Sequence, residues 1–97
     1  MPDTRQLDAK QKKQLKQAAH HLKPVVRIGQ KGITETLVCE TDACLAQHEL
    51  IKVHVAAGDK QTRADMAERL ADATHAALVH QIGKMFVLYR AREDAHD

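Results

Sequence analysis

Aromatic side chains are almost absent: the 97 residues hold one Phe, one Tyr and no Trp. Phe86 and Tyr89 stand an odd number of positions apart, which on a strand turns them to opposite faces. A sheet that grips nucleic acid by stacking successive bases on aromatic rings has no support in this composition. Cysteine is scarce too, at two residues. Cys39 and Cys44 fall on one expected helix, about 140° apart around its axis, so they can neither bridge nor share a metal. They read as small buried or half-buried apolar residues. No apolar run approaches the roughly 20 residues of a membrane helix, and the N-terminal residues lack the apolar segment of a secretory signal. A cytoplasmic protein without a membrane partner is the expectation.

Catalytic patterns are missing as well. The chain has seven histidines, yet His20 and His21 are adjacent and point about 100° apart on a helix, not along one face. His48, His54, His75 and His80 belong to different expected elements and lack zinc-ligand spacing. No nucleophile elbow, Walker loop or His-Glu-x-x-His motif occurs. The adjacent acids Glu93 and Asp94 suit a solvated surface. No catalytic residue, metal site or cofactor is expected. Some of the histidines can gain charge below neutral pH and add to anion binding.

What is present is a single domain's worth of core. Apolar residues make up 43% of the chain and are spread along most of it, enough for one modest core. Charge is not spread evenly. Residues 1–32 carry eight basic side chains (Arg5, Lys10, Lys12, Lys13, Lys16, Lys23, Arg27 and Lys31) against Asp3 and Asp8. The remainder carries seven basic residues against eleven acidic ones. A concentration of positive charge at one end of the chain fits an anionic polymer as partner, because local potential steers association.

In order along the chain, residues 1–7 read as a polar, flexible arm, and Asp8 caps a first helix to about Leu22. Leu15, Ala18, Ala19 and Leu22 form its apolar stripe. Lys12, Lys13, Lys16, His20 and Lys23 fall within an arc of about 100° on another side. Pro24 ends the helix, and Val25 to Ile28 is a strand. A second helix runs from Thr34 to about Gln47, with Leu37, Val38, Thr41, Cys44 and Leu45 inward. Leu50 to Val55 alternates Ile51, Val53 and Val55 with Lys52 and His54, as in a strand with one buried and one wetter face. Ala57 and Gly58 make a turn. Asp59 caps a third helix to about Thr74, with Met66, Ala67, Leu70 and Ala73 inward and an Asp65–Arg69 pair outside. Ala77 to Ile82 and Met85 to Tyr89 are strands joined by a Gly83-Lys84 hairpin turn. The chain turns polar from Arg90 and is expected to fray there. The domain proper is residues 8–90, with 91–97 a polar tail. The fold class is α/β: order α-β-α-β-α-β-β, three helices and a four-stranded mixed sheet.

The most informative stretch is Lys23 to Thr34, KPVVRIGQKGIT. A strand runs into Gly29, Gln30, Lys31 and Gly32 and then into a helix capped by Thr34. Glycines permit positive φ or close approach of another backbone. A helix N-terminus offers unpaired N–H groups and the positive end of the helix dipole, which suits a phosphate. Glu35 in the first turn competes mildly with such an anion. Lys23, Arg27 and Lys31 flank the loop, and the Lys12, Lys13, Lys16 stripe extends the basic surface beyond a single phosphate.

That stretch, the block His48 to Val53 (HELIKV), and Gln81 to Gly83 (QIG) with Val87 to Arg90 (VLYR) together resemble the CRM domain, most closely its small stand-alone bacterial YhbY-type members. The resemblance spans about residues 8 to 90. It implies a compact α/β RNA-binding domain similar to the C-terminal domain of translation initiation factor three, with a KH-like Gly-x-x-Gly loop. Stand-alone bacterial relatives are associated with precursors of the large ribosomal subunit, and plant relatives with organelle intron splicing. By position, Gly29 to Gly32 would be the RNA-contacting loop, with Lys23, Arg27 and Lys31 as phosphate contacts. Many CRM loops have a basic residue directly after the first glycine, where this chain has Gln30 and places the lysine next. Ile51 and Val53 would be core, Gly83 a turn and Leu88 packing; Tyr89 and Arg90 stand as either packing or RNA contacts.

The expectation is thus a non-enzymatic protein bound to RNA, the ribosomal RNA of a large-subunit precursor, with ribosomal proteins as further partners. A rival from another class is a protein–protein adaptor docked on the ribosome through the acidic helices. A small RNA-processing enzyme using a histidine is a third reading.

Overall fold

The alternation in Leu50 to Val55 decides the architecture. In the computed structural model, which describes residues 7–56 and 58–91, this segment is strand β2 (Leu50–Val55), flanked on both sides. The described residues form α1 (Ala9–Ala19), β1 (Pro24–Ile28), β2, α2 (Glu35–His48, between β1 and β2), α3 (Lys60–Thr74), β3 (Ala77–Ile82) and β4 (Met85–Tyr89). The strands lie in the order β1-β2-β4-β3. β1 runs parallel to β2, with Arg27 beside His54 and Ile28 beside Val55. β4 is antiparallel to both of its neighbours. The mixed sheet and the element order agree with expectation.

Each face of the sheet is covered differently. Ile51, Val53 and Val55 point into the main core, with Val26 and Ile28 of β1, Phe86 and Leu88 of β4, and Leu37, Leu45, Ala67 and Leu70 from α2 and α3. Phe86, Ile28, Leu45, Ile51, Leu70 and Leu88 are almost wholly buried, each contributing about 1.5–3 kcal/mol of transfer free energy. The buried hydroxyls of Thr41 and Thr74 donate to the carbonyls of Leu37 and Leu70, both at 2.8 Å, so neither leaves a polar group unpaired. On the opposite face α1 lays Leu15 and Ala19 over Val79, Val87, Leu50 and Tyr89. This second cluster is smaller and leaves part of the sheet uncovered.

Several expectations fail for local reasons. α1 stops at Ala19, and the Leu22 amide closes a turn onto the Ala19 carbonyl at 3.0 Å. Leu22 therefore leaves the helical stripe and is exposed, as is Ala18. Lys23 likewise lies in the connection rather than on the helix. Cys39 is exposed; Cys44, about 140° around the helix from it, is half-buried against the core. Ala73 is exposed, and Ala71 and Thr74 take the inward positions of α3. Asp65 accepts from Gln61 Nε2 at 3.1 Å instead of pairing with Arg69. The Ala57 half of the expected turn lies outside the described residues.

The largest departure is Arg90, expected to begin a fraying end. Its guanidinium donates to the Asp42 carboxylate at 2.6 Å, the Thr74 carbonyl at 2.8 Å and the Asp42 carbonyl at 3.0 Å. Its own amide donates to the Glu49 carbonyl at 2.9 Å. Arg90 thus joins α2, the end of α3 and the β2–β4 edge. Replacing it by Met, which keeps most of the aliphatic stem, should cost about 1–2 kcal/mol because charge-assisted bonds are lost and the half-buried Thr74 carbonyl loses a partner. Asp42→Ala should cost less, since the bond to Thr74 survives. Urea midpoints of the two variants check that order.

Candidate nucleic-acid interface

The parallel pairing of β1 and β2 carries both strands to the same end of the sheet. There the chain leaves β1 through the Gly29–Gly32 loop into α2, and leaves β2 through Gly58 into α3. The Ala56 amide donates to the Ile28 carbonyl at 2.8 Å, and the Val55 amide to the Lys84 carbonyl at 2.7 Å. Three loops therefore share one rim. Arg63 locks two of them, donating to the carbonyls of Gly58 at 2.7 Å and Gly83 at 3.2 Å. Lys31 and Lys84 stand exposed on these loops, and Lys60 is exposed at the first position of α3.

The glycine loop is a closed turn, in which the Gly32 amide donates to the Gly29 carbonyl at 3.0 Å. That bond occupies one of the donors a phosphate would use. Gly32 has φ +71°, the left-handed region that disfavours a side chain. Gly29 has no such requirement, and a Cβ added there would meet nothing within 4 Å. Its open space is room for an incoming backbone.

The two helix N-termini at this rim differ electrically. The α2 cap is the neutral Thr34 hydroxyl, accepting from the Leu37 amide at 3.1 Å. The α3 cap is the Asp59 carboxylate, accepting from the Thr62 amide at 2.8 Å. That hydrogen bond, a second from the Thr62 side chain and the nearby Arg63 hold the Asp59 pKa below its ordinary value. α3 thus carries its own anion at its positive end. α2, next to the glycine loop, leaves more of its N-terminal potential available, with Glu35 as partial compensation.

A second basic sector lies on the α1 face of the sheet. Val26 and Ile28 point to the main core, so Val25 and Arg27 point the other way, and both are exposed. Lys52 and His54 share that face on β2. Lys16 from α1 reaches the same region and lines it with Lys52, His20 and His80. The His80 pKa lies below its ordinary 6.5, first because burial disfavours the imidazolium and second because Lys16 is near.

The expected residues thus do not form one cluster. Gly29, Gln30, Lys31 and Gly32 form the rim turn. Lys16 and Arg27 belong to the sheet face, and Lys12 and Lys13 are exposed along α1. Lys23 is exposed in the connection between α1 and β1. Tyr89 is half-buried against α1, and Arg90 is the strut described above. Lys52, Arg63, His80 and Lys84 were not singled out from the sequence. Lys52 sits in the polar phase of an alternating strand, a visible signal, but its neighbours follow only from strand order.

A small α/β domain with a basic sheet face and a glycine loop at a helix N-terminus defines the class. The model of the CRS1 / YhbY (CRM) domain matches residues 7–90, and the chain belongs to that family. It is 46% identical over 89 residues to a protein of Haemophilus influenzae named "RNA-binding protein", covering 92% of this chain and 90% of that one. It is 34% identical over 88 residues to a "Probable RNA-binding protein" of Bacillus subtilis, covering 91% and 92%. The solution structure of a hypothetical protein from Staphylococcus aureus superposes with a TM-score of 0.82 at 39% identity, covering 93% of this chain and 94% of that one.

Two outcomes follow from this geometry. Gly32→Ala should lose about 1–2 kcal/mol of stability, the cost of a side chain in the left-handed region, whereas Gly29→Ala should unfold at the same urea concentration as the parent. For His80, the folded state prefers the neutral ring. Its contribution is therefore complete above the ordinary value of 6.5 and is lost as pH falls through the lower folded-state pKa. Thermal melts on the acid side should show a smaller loss for His80→Gln than for the parent.

Proposed function

We propose that this chain is a non-enzymatic RNA-binding protein that associates with precursors of the large ribosomal subunit in the cytoplasm and assists their assembly. The observation that carries the reading is the joining of Lys16, Lys52 and Arg27 on one sheet face, with the glycine loop and Lys31 at its end. RNA-binding is also the name given to the relatives from Haemophilus influenzae and Bacillus subtilis.

The mechanism is electrostatic docking followed by backbone clamping. Lys12, Lys13 and Lys16 meet phosphates along α1 and release counterions. The Gly29–Gly32 turn lets an RNA backbone approach closely beside Gly29, with Lys31 neutralising a phosphate and α2 adding its N-terminal potential. Gln30 can hydrogen-bond to sugar or phosphate but adds no charge. Lys23 and Arg27 extend the track. Contacts of this kind fix position and favour shape and charge over sequence.

RNA affinity should therefore fall steeply with salt. Replacing Lys16 and Lys31 by Gln should lower the slope of log affinity against log salt by about 1.4 on a single strand, roughly 0.7 per lost contact. An unchanged slope contradicts the mechanism. The rival adaptor reading draws on the exposed acids Glu40 and Glu68 of the α2 and α3 side. Association with precursor particles that survives nuclease digestion would favour it.

A further inference from the structure

The second face of the sheet is only partly covered. Between α1 and the strands lies a groove of about 330 Å³, at the small end of the roughly 300–1,000 Å³ typical of ligand pockets. Its floor is apolar, formed by Ile82, Met85 and Val87. Ile82 is 67% exposed, an unusual state for a large aliphatic residue on a strand end. Its walls are cationic or titratable: Lys16 and His20 from α1, Lys52 from β2 and His80 from β3. None of these lining residues is a carboxylate. His54, two residues beyond Lys52 on the same face, keeps its Nδ1 buried without a hydrogen-bond partner.

We propose that this groove takes one unpaired nucleotide of the bound RNA, its base against Ile82, Met85 and Val87 and its phosphates on Lys16 and Lys52. The inference rests on the RNA-binding reading above and adds to it a preference for unpaired over fully paired RNA. Charge complementarity selects the occupant. An apolar slot edged by two lysines, with no carboxylate in its lining, fits a flat base attached to an anion, and it would leave the charges of Lys16 and Lys52 unmatched against a neutral partner. The base is held by aliphatic contact at one position, which needs no aromatic platform.

The groove also links binding to protons. His80 is kept neutral by burial and by Lys16. The cations facing it are Lys16 on α1 and Lys52 on β2, with His20 on α1 as a further titratable group; Arg27 and His54 lie farther along the sheet face, and β4 lines the groove with Met85 and Val87, its Tyr89 lying beyond them on the same face. A phosphate entering this set favours the imidazolium, so RNA binding takes up protons and strengthens as pH falls. Free-protein stability moves the opposite way.

The test uses the full chain and labelled RNA, comparing a single strand with the same strand fully paired, by fluorescence anisotropy at about pH 8 and about pH 6.5. The parent should favour the single strand, and more so at the lower pH. Ile82→Asn, and separately Met85→Ala, should weaken single-strand binding about five- to tenfold, less than loss of an aromatic stack, and duplex binding less than about twofold. Retained duplex binding shows that the variants are folded. His80→Gln should flatten the pH dependence. The groove is refuted if the floor variants weaken both RNAs equally or neither. If the parent binds no RNA at all, the RNA reading itself falls with it; if it binds and only the floor variants are silent, the groove alone falls.

Discussion

The two-residue period of β2 is the constraint on which the rest of the structure depends. Burying Ile51, Val53 and Val55 against α2 and α3 commits Lys52 and His54 to the other face. A slip of one residue would bury those polar side chains and expose the aliphatic ones, so register is strongly specified. β1 copies the pattern through its parallel pairing, which sets Arg27 beside His54. β4 continues it on the other side, with Phe86 and Leu88 inward and Met85, Val87 and Tyr89 toward α1. One burial requirement thus sorts the molecule into a packed side and a side carrying cations.

The same pairing explains why the glycine loop is where it is. β1 and β2 end together, and both crossovers into α2 and α3 start at that end. The rim consequently gathers loops distant in sequence, with Arg63 fastening Gly58 to Gly83. Basic residues divide by what they touch. Arg63 and Arg90 spend their donors on backbone carbonyls and Asp42, while Lys31, Lys84 and Lys60 stand exposed. Arginine suits the first task because its planar fork satisfies several acceptors at once.

Much of this was legible in the sequence. Periodicity placed β2, β3 and β4 at the bounds observed, and capping chemistry at Asp8, Thr34 and Asp59 placed the helix starts. Helix ends were harder: α1 continues in pattern to Leu22 but ends at Ala19, because the chain must turn to enter β1 at Pro24. α2 and α3 end on Glu49 and His75, both at positive φ without a glycine to announce it. The loop was legible as a turn because two glycines three positions apart follow a strand and precede the Thr34 cap. Lys52 and His80 were not, because nothing local says that β4 inserts between β2 and β3, and that strand order is what brings α1, β2 and β3 around one groove. Arg90, left open between packing, RNA contact and the start of a fraying end, could not be resolved locally either, its partners lying 48 and 16 residues away.

The central claim is that RNA meets the α1 side of the sheet and the glycine-loop rim, while the α2 and α3 side faces away. Crosslinking in living cells, with the attached RNA sequenced and the modified residues mapped, tests this most directly. The account predicts adducts on Lys16, Lys52 and the Gln30–Lys31 turn, joined to ribosomal RNA of the large subunit. Adducts concentrated on the outer surfaces of α2 and α3, around Glu40 and Glu68, or no recoverable RNA, would contradict it.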